Sequence, residues 1–304
     1  MKGETTPAGW ESAAGGLSPV GALVRQHDPD RYRTALYAPS GRREALSALY
    51  AFNYEIARVR ESVTTPMLGQ IRLQWWREVV DAAYAGAPAR QHVIAEPLAA
   101  IIRDFALSRA HFDRMIEARE KDLADEPPPT LAALEDYAEG TSATLIHLAL
   151  EILCSNEAER SDRGRPAGGA AGTAAVQVGI GYALAGLLRA MPFHARAGRC
   201  YIPADIAAET GLDPADYAAT RTTPALRRAV AAIADAAATH LGAARRYRAD
   251  LPRAALPALL PAIVADRALA RLRRAGWNPF DPMVASPDPL LTWRLAGAML
   301  LRRF

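Results

Sequence analysis

The spacing of apolar positions along the chain is helical almost throughout. Between interruptions rich in glycine and proline, apolar residues recur every three or four positions, as Leu73, Trp76, Val80 and Ala83 do. No segment alternates apolar and polar residues with the period of two that is typical of strands. The pattern therefore predicts an all-α protein, and the lack of a repeat at fixed period argues against a solenoid.

Capping residues and prolines indicate where the helices begin. Asp28-Pro29, Ser40 and Thr65-Pro66 are typical helix starts, because a polar cap and a proline in the first turn satisfy or remove unpaired N–H groups. The later helices are predicted at 92–107, 109–124, 131–154, 173–192, 223–249, 253–274 and after 288. Residues 1–20 are predicted to be a flexible tail, and residues 21–304 a single bundle of ten or more helices.

Composition excludes several classes of protein. With 304 residues, 50% hydrophobic and 23% charged, the chain can bury a sizeable core. Cys154 and Cys200 form no metal-binding or disulfide pattern, which fits a reducing compartment and a cytoplasmic protein. The uncharged stretch 167–188 is rich in glycine and is interpreted as a loop leading into a buried helix. No phosphate loop, Ser-His-Asp order or nucleic-acid motif is present, so no nucleic-acid partner is expected.

Basic residues are almost all arginine. Of the 36 basic residues only Lys2 and Lys121 are lysines, and the formal net charge is +3. Arginine binds phosphate in a bidentate manner, but the accompanying abundance of alanine makes GC-rich codon usage the simpler explanation. Composition alone therefore does not establish a phosphate ligand.

Four segments carry a family resemblance when they are taken in order. They are DRYRTALYAPSGRREALSALYAFNYEIARVRES, GQIRLQWWREVVD, DYAEGTSATLIHLALEIL and GYALAGLLRAMPFHARAGRCYIPADI. Together they resemble the signature blocks of the squalene/phytoene synthase family. The resemblance implies the all-α isoprenoid synthase fold, with a central cavity for prenyl chains and two facing helices that carry aspartate-rich motifs.

Those aspartate-rich motifs are degenerate in this chain. The catalytic members use carboxylates on two helices to hold Mg²⁺, which binds the diphosphate of the substrate. At the first motif the resemblance aligns Ala57, Arg58 and Glu61, and only Glu61 is a carboxylate. At the second motif it aligns Ala190 and His194, and neither is a carboxylate. We therefore expect no metal site and no cofactor, with Mg²⁺ required only if the chain is an active prenyltransferase.

The surroundings of the second motif are basic as well. No Asp or Glu occurs between residues 163 and 204. A cationic half-site would repel Mg²⁺ rather than hold it. The basic side chains of this stretch are Arg163, Arg165, Arg189, His194, Arg196 and Arg199.

Within the family, the chain resembles the divergent branch that contains the mitochondrial complex I assembly factor and its bacterial relatives. The segments YAEGTSATLIHLALEIL and LLRAMPFH carry this likeness. It implies a non-catalytic protein that acts in respiratory complex I assembly, with respiratory complex subunits as partners, or that binds a prenyl lipid. One alternative is an active head-to-head prenyltransferase with altered metal ligation, using carboxylates such as Asp113, Glu117, Asp136 or Glu139. A helical interaction scaffold is a second alternative.

The ligand-binding candidates each have a structural alternative. A prenyl lipid or prenyl diphosphate would contact side chains near the motifs, but helix packing explains the same residue types. Arg58 and Glu61 are a remnant diphosphate gate or an exposed ion-pair face. Arg189 and His194 hold an anion, or His194 caps a helix C-terminus. The remaining candidates line a cavity or, as Thr141 would, bond back to the preceding turn: Tyr50, Asn53, Tyr137 and Thr141.

The last helix suggests a peripheral membrane contact. The segment WRLAGAMLLRRF combines Trp293, Leu300 and Phe304 with arginines, a combination typical of helices at an anionic bilayer surface. Packing against the bundle is the alternative. The sequence thus predicts a cytoplasmic protein that touches the inner membrane at most peripherally.

Overall fold

The computed structural model describes residues 16–155 and 169–304, and these residues form helices and connecting turns without a strand. The predicted all-α class is confirmed. The first group of helices is α1 (Pro19–His27), α2 (Pro29–Ala35), α3 (Ser40–Ala57), α4 (Pro66–Tyr84), α5 (Ala95–Phe105), α6 (Arg109–Glu120), α7 (Leu131–Ala138) and α8 (Thr144–Leu153). The second is α9 (Gly169–Arg196), α10 (Ala204–Thr210), α11 (Pro214–Ala218), α12 (Pro224–Ala244), α13 (Leu256–Leu259), α14 (Pro261–Arg274), α15 (Pro282–Ala285) and α16 (Leu291–Leu301).

The predicted helix starts coincide with those of α2, α3 and α4. The Asp28 carboxylate accepts a hydrogen bond from the backbone N–H of Arg31 at 3.1 Å and so caps α2. Ser40 is the first residue of α3 rather than its cap, and Thr65 precedes Pro66 at the start of α4 without a side-chain hydrogen bond. Proline in the first turn therefore defines the start of α4 without help from a cap.

Helix α1 begins inside the segment that was predicted to be a flexible tail. The Ser18 hydroxyl accepts a hydrogen bond from the Gly21 N–H at 3.0 Å, and Val20 and Val24 are buried. Burial of two valines explains why the helix forms despite its small, polar surroundings. The rest of that tail, residues 1–15, lies outside the described residues.

The segment predicted as one helix over 131–154 contains a π-helical turn. Residues Glu139–Ala143 form this turn between α7 and α8. A Cβ atom on Gly179 of α9 would lie 2.3 Å from the Cα of Ala143, so the two backbones are in direct contact there. Glycine at 179 is therefore required for α9 to pack against the π turn.

Helix α9 is the central helix and continues past Pro192 to Arg196. It packs against α7, α8, α12 and α14. It is also the one helix of the described residues that is long and apolar enough to cross a membrane, with 67% of its most apolar window buried inside the protein. The sequence predicted a loop leading into a buried helix over 167–188; the helix is buried, but it already begins at Gly169. A buried core helix passes the same length and composition test.

Two apolar clusters fill the interior of the bundle. The larger cluster contains residues from all of the first six helices, from α8 and from the first half of α9. Phe52, Trp76 and Phe112 are among its largest side chains. The smaller one joins α7 to the second half of α9 and to α10, α11 and α12. Helix α9 contributes to both clusters and so connects them. A central cavity, which the family resemblance implies, stays a prediction.

Candidate functional site

The first motif lies at the exposed end of α3. Ala57 is the last residue of α3, Arg58 follows it, and Glu61 lies in a short 3₁₀ turn, Arg60–Ser62. Arg58 and Glu61 are both exposed. The Arg58 guanidinium pairs with Glu55, one turn earlier, at 3.3 Å. The structure thus contains an exposed ion pair here, with Glu55 rather than Glu61 as the partner of Arg58.

The second motif lies in the last two turns of α9, where the structure separates Arg189 from His194. The Arg189 guanidinium donates a hydrogen bond to Asp30 of α2 at 2.8 Å. The His194 ring instead lies edge-on against Tyr201, with the ring centroids 4.8 Å apart. Ala190, between them, is half-buried. The two side chains predicted to hold one anion therefore have different neighbours.

Neither Arg189 nor His194 is an unpaired cation. Asp30 neutralises the charge of Arg189. Burial by itself would lower the pKa of Arg189, but Tyr182 and Asp30 raise it, so the guanidinium stays charged. Burial, followed by the nearby Arg199, lowers the pKa of His194 to about 4, so its ring is neutral at pH 7. The uniformly cationic half-site expected from the sequence is not found at these two positions. Arg163 and Arg165 lie outside the described residues.

His194 also makes no hydrogen bond through its ring to the carbonyl groups at the end of α9, within the described residues. The backbone instead closes α9 by a hydrogen bond from the Arg199 N–H to the His194 carbonyl oxygen at 2.8 Å. The predicted side-chain cap is therefore replaced by a backbone bond, which a turn with a positive φ at Gly198 permits.

A buried polar network lies directly beside His194, and we call it the Asp122 cluster: Arg119, Asp122, Tyr137 and Tyr201. The two tyrosine hydroxyls donate to the two oxygens of Asp122, Tyr137 at 2.9 Å and Tyr201 at 2.8 Å. Arg119 pairs with Asp122 at 3.1 Å and donates to the Tyr137 hydroxyl at 2.7 Å. Asp122 is only 8% exposed, so this carboxylate is held inside the protein by three donors.

The Asp122 cluster keeps its tyrosines protonated. Burial, with the Asp122 carboxylate beside it, raises the pKa of Tyr201 above its usual range. Burial also raises the pKa of Tyr137. Arg119 lowers this pKa, but Asp122 raises it. Both hydroxyls therefore serve as donors to the carboxylate at physiological pH. Tyr137, a predicted ligand contact, is thus occupied by protein partners.

A second buried network surrounds Tyr50 on the side of α9 that faces α2. Arg31 pairs with Asp28 at 2.8 Å, and its guanidinium lies 4.8 Å from the centre of the Tyr182 ring. Burial alone would lower the pKa of Arg31, but Asp28 raises it, so the charge is retained. Burial raises the pKa of Tyr50, which is 3% exposed. Tyr50 therefore lies in the interior beside a retained positive charge.

The remaining candidates are buried on α3 and the π turn. Thr141 donates to the Tyr137 carbonyl oxygen at 2.8 Å, which is the bond to the preceding turn that was one of the two interpretations. Asn53 is 5% exposed, and its Oδ1 has no hydrogen-bond partner within the described residues. The hydroxyl of Ser142 is likewise buried without a partner there. The Nε atom of Arg60, next to the predicted contact Glu61, is a third such atom within the described residues.

The carboxylates that an altered metal site would use are not gathered into one site. Asp113 pairs with Arg109 at 3.3 Å, and Asp136 pairs with Lys121 at 2.7 Å and with Arg114. Glu117 lies 4.0 Å from Arg114, and Glu139 is exposed. Across residues 16–155 and 169–304, no three His, Cys, Asp or Glu side chains come together in a group that could hold a metal ion.

The sequence profile of the squalene/phytoene synthase family matches residues 24–295. The chain belongs to this family. The two motif positions on α3 and α9 and the YIP segment of the Asp122 cluster all fall inside the matched range. The family assignment made from the four signature segments is confirmed.

The chain is similar to curated proteins of two kinds. It is 30% identical over 269 residues to the human NADH dehydrogenase (ubiquinone) complex I assembly factor 6, covering 88% of this chain and 77% of that protein. It is 25% identical over 223 residues to the presqualene diphosphate synthase of Rhodopseudomonas palustris, covering 73% of this chain and 75% of that enzyme. The chain is therefore a family member related to a complex I assembly factor.

Solved structures support the same fold. The squalene synthase HpnC from Alicyclobacillus acidocaldarius aligns with a TM-score of 0.72 at 23% identity, covering 86% of this chain and 94% of that one. A dehydrosqualene synthase in complex with ligand aligns with a TM-score of 0.76 at 15% identity, covering 93% and 94%. The predicted isoprenoid synthase fold is confirmed by these alignments.

Two members of the Asp122 cluster were not identified from the sequence. Asp122 lies in the charged segment EKDLADE, and Arg119 directly precedes that segment. In the sequence, this part of the chain looks like an exposed helix end. In the sequence, Tyr201 stands only within the fourth signature segment, GYALAGLLRAMPFHARAGRCYIPADI. The signal that could have found the cluster is the presence of tyrosines in two separate signature segments, because a buried tyrosine hydroxyl usually needs a hydrogen-bond partner.

Proposed function

We propose that this protein is a non-catalytic member of the squalene/phytoene synthase family that acts in the assembly of respiratory complex I. One feature of the sequence carries the proposal: the positions that the family resemblance places at the metal-binding carboxylates hold Ala57, Arg58, Ala190 and His194. The similarity to complex I assembly factor 6 over 88% of the chain supports the assembly role. The proposal locates the protein in the cytoplasm, at the inner membrane where that complex resides.

The arrangement of the site supports the loss of catalysis. Diphosphate ionisation in this family depends on Mg²⁺, which needs several oxygen ligands at once. Glu61 is exposed, and the nearest motif position beside it is the cation Arg58. On the other side, Arg189 is bound to Asp30 and the Asp122 carboxylate is saturated by three donors. The residues of both motifs therefore do not fit a bound metal ion.

The second function that we propose is the binding of a prenyl lipid. Asn53 Oδ1 and Ser142 Oγ are buried polar atoms without protein partners in the described residues, and such atoms are satisfied by water or by the polar group of a ligand. Both lie on elements that carry the signature segments. Native mass spectrometry of the purified protein tests this part, and a co-purifying mass of a prenyl or quinone-like lipid is the supporting result.

Gene deletion with complementation tests the assembly role. Deletion is expected to lower NADH-dependent respiration and the amount of assembled complex I on native gels, while succinate-dependent respiration is unchanged. Complementation with Glu61→Gln should restore both as well as the unaltered gene does, because no metal-dependent step uses Glu61. Unchanged complex I after deletion would contradict the assembly role.

An enzymatic assay tests the loss of catalysis separately. Purified protein incubated with farnesyl diphosphate and Mg²⁺ is expected to form no squalene, presqualene diphosphate or phytoene. The presqualene diphosphate synthase of Rhodopseudomonas palustris is the matched positive control in the same assay. Turnover by this protein that Glu61→Gln abolishes would establish the alternative, an active prenyltransferase.

A further inference from the structure

Helix α16 is apolar on both of its sides. Leu291, Leu295 and Ala298 face the bundle and are buried. On the opposite side Trp293 is 76% exposed and Leu300 is 81% exposed. A helix with an apolar outer side is normally covered by another surface. Phe304, which the sequence placed with these two residues, is 3% exposed and belongs to the core instead.

A basic pocket adjoins the C-terminal end of α16, and we call it the arginine pocket. Its volume is about 390 Å³. It lies where the 3₁₀ turn Arg245–Asp250 and the segment after it meet the end of α16. The charged side chains that line it are all arginines: Arg245, Arg246, Arg248, Arg253 and Arg302.

Most of the charge in the arginine pocket is not neutralised by the protein. Arg245 pairs with Asp266 and donates to the backbone oxygen of Phe304. The other four arginines are exposed and form no ion pair with any described residue. Asp250 is the acidic residue of the same 3₁₀ turn, but it is exposed and does not line the pocket. The pocket therefore offers four free guanidinium groups to an anion.

Leu301 joins the arginine pocket to the apolar side of α16. It lines the pocket, is 61% exposed, and follows Leu300 directly in the chain. Guanidinium groups bind phosphate oxygens in a bidentate manner, whereas tryptophan and leucine partition into the boundary between headgroups and acyl chains. One surface that satisfies both sets of side chains is a bilayer with anionic headgroups. A soluble phosphate would leave Trp293 and Leu300 uncovered.

We propose that the arginine pocket and the outer side of α16 together dock on a bilayer surface that carries anionic phospholipids. The headgroup phosphates bind Arg246, Arg248, Arg253 and Arg302, and Trp293 and Leu300 enter the interface. This inference does not rest on the proposed function, because it concerns a surface remote in sequence from both motifs. Vesicle binding can succeed or fail whatever the result of the gene deletion.

Vesicle flotation of the purified full chain tests the charged part. The unaltered protein should float with vesicles of phosphatidylcholine and phosphatidylglycerol and not with phosphatidylcholine alone. The triple variant Arg246→Gln, Arg248→Gln, Arg253→Gln should bind anionic vesicles about a hundredfold more weakly, since each arginine near such a surface contributes about fivefold. The matched control with the same loss of charge is Arg25→Gln, Arg103→Gln, Arg274→Gln, taken from exposed positions on α1, α5 and α14.

The control variant decides whether the site is specific. The proposal expects the control to retain binding within a few-fold of the unaltered protein. Equal weakening by both triple variants would show that net charge alone attracts the protein, and would overturn the proposal. Failure of the unaltered protein to float with anionic vesicles would overturn it as well. Circular dichroism and a melting curve for each variant establish that it is folded.

A second pair of variants tests the apolar part. Trp293→Ser with Leu300→Ser should weaken vesicle binding at least tenfold, because two large side chains lose their burial in the interface. Met67→Ser with Ile71→Ser is the matched control on α4, where these residues are 69% and 59% exposed. Unchanged vesicle binding in the α16 variant, together with inhibition of flotation by millimolar inorganic phosphate, would indicate a free-phosphate site and refute bilayer docking.

Discussion

The two motif regions of this protein differ in how their polar groups are used. At the end of α3, Arg58 and Glu61 are exposed, and the ion pair there is local, with Glu55 one turn away at 3.3 Å. Beside the end of α9, the Asp122 cluster joins three separate segments in the interior, with its carboxylate 8% exposed. The charged groups of the α3 region are exposed to solvent, whereas those of the α9 region form a buried network.

This difference shows where the charged groups of the two regions find their partners. The Asp122 carboxylate does not lie at a motif position, and three protein side chains donate to it. A substrate diphosphate would have to displace those donors, and a buried charge without partners is costly. We therefore expect the α9 region to contribute to the stability of the fold and the α3 region to contribute little.

The largest expected effect concerns the centre of the Asp122 cluster. Asp122→Asn removes the charge that pairs with Arg119 and leaves a buried guanidinium without a counter-ion. We expect the free energy of unfolding to fall by about 4 kcal/mol. Urea denaturation followed by circular dichroism measures it. A loss below about 1 kcal/mol would mean that the cluster is solvated and that the two regions do not differ.

The next largest effect concerns the contact between Gly179 of α9 and Ala143 of the π turn. Gly179→Ala would bring a Cβ atom to 2.3 Å from the Cα of Ala143, so α9 must shift. We expect a loss of about 3 kcal/mol in the free energy of unfolding. Gly186→Ala on the same helix is the control, because nothing lies within 4 Å of its Cβ position. The control should gain up to about 1 kcal/mol from helix propensity.

A pH titration tests whether the α9 region is sealed. The pKa of His194 is lowered to about 4 by burial, below the value of about 6.5 that it has when unfolded. The unfolded state therefore binds the proton first, and stability falls as the pH drops from 6.5 towards 4 but not above 6.5. Between pH 7 and pH 5, we expect the free energy of unfolding of His194→Gln to fall by about 2 kcal/mol less than that of the unaltered protein. Identical pH profiles for the variant and the unaltered protein would show that His194 is solvated.

The smallest effect is expected in the α3 region. Arg58→Ala breaks an exposed pair with Glu55, and such pairs contribute little because water screens them. The free energy of unfolding should change by less than about 0.5 kcal/mol in thermal or urea denaturation. A loss as large as that of Asp122→Asn would erase the contrast between the regions. Glu61→Ala, at a neighbouring exposed position, should behave in the same way.

The sequence predicted the helices well because local signals determine them. Asp28-Pro29 and Thr65-Pro66 begin α2 and α4, and the three- and four-residue spacing of apolar residues predicts the buried stripe of α4. Helix α1 was missed because its stability comes from the burial of Val20 and Val24 in contacts with α2 and α3. Periodicity over nine residues is too short to reveal such contacts.

The sites were harder to predict because they depend on contacts between distant segments. The bond between Tyr201 and Asp122 joins residues 79 positions apart, and no local pattern encodes it. Arg189 directly precedes the second motif in the sequence, but its partner Asp30 is 159 residues away. The sequence could name the residues of the motifs; only the fold reveals which of them are already neutralised.

The π turn Glu139–Ala143 also has a consequence for the cooperativity of the molecule. Leu134 and Tyr137 before it belong to the smaller apolar cluster, whereas Leu145 and Leu148 after it belong to the larger one. The extra residue in this turn rotates the following stripe, so that one continuous length of chain can serve two interiors. We therefore expect the two clusters to unfold in a single transition, and we expect deletion of one residue at the turn to rotate α8 out of register with the larger cluster.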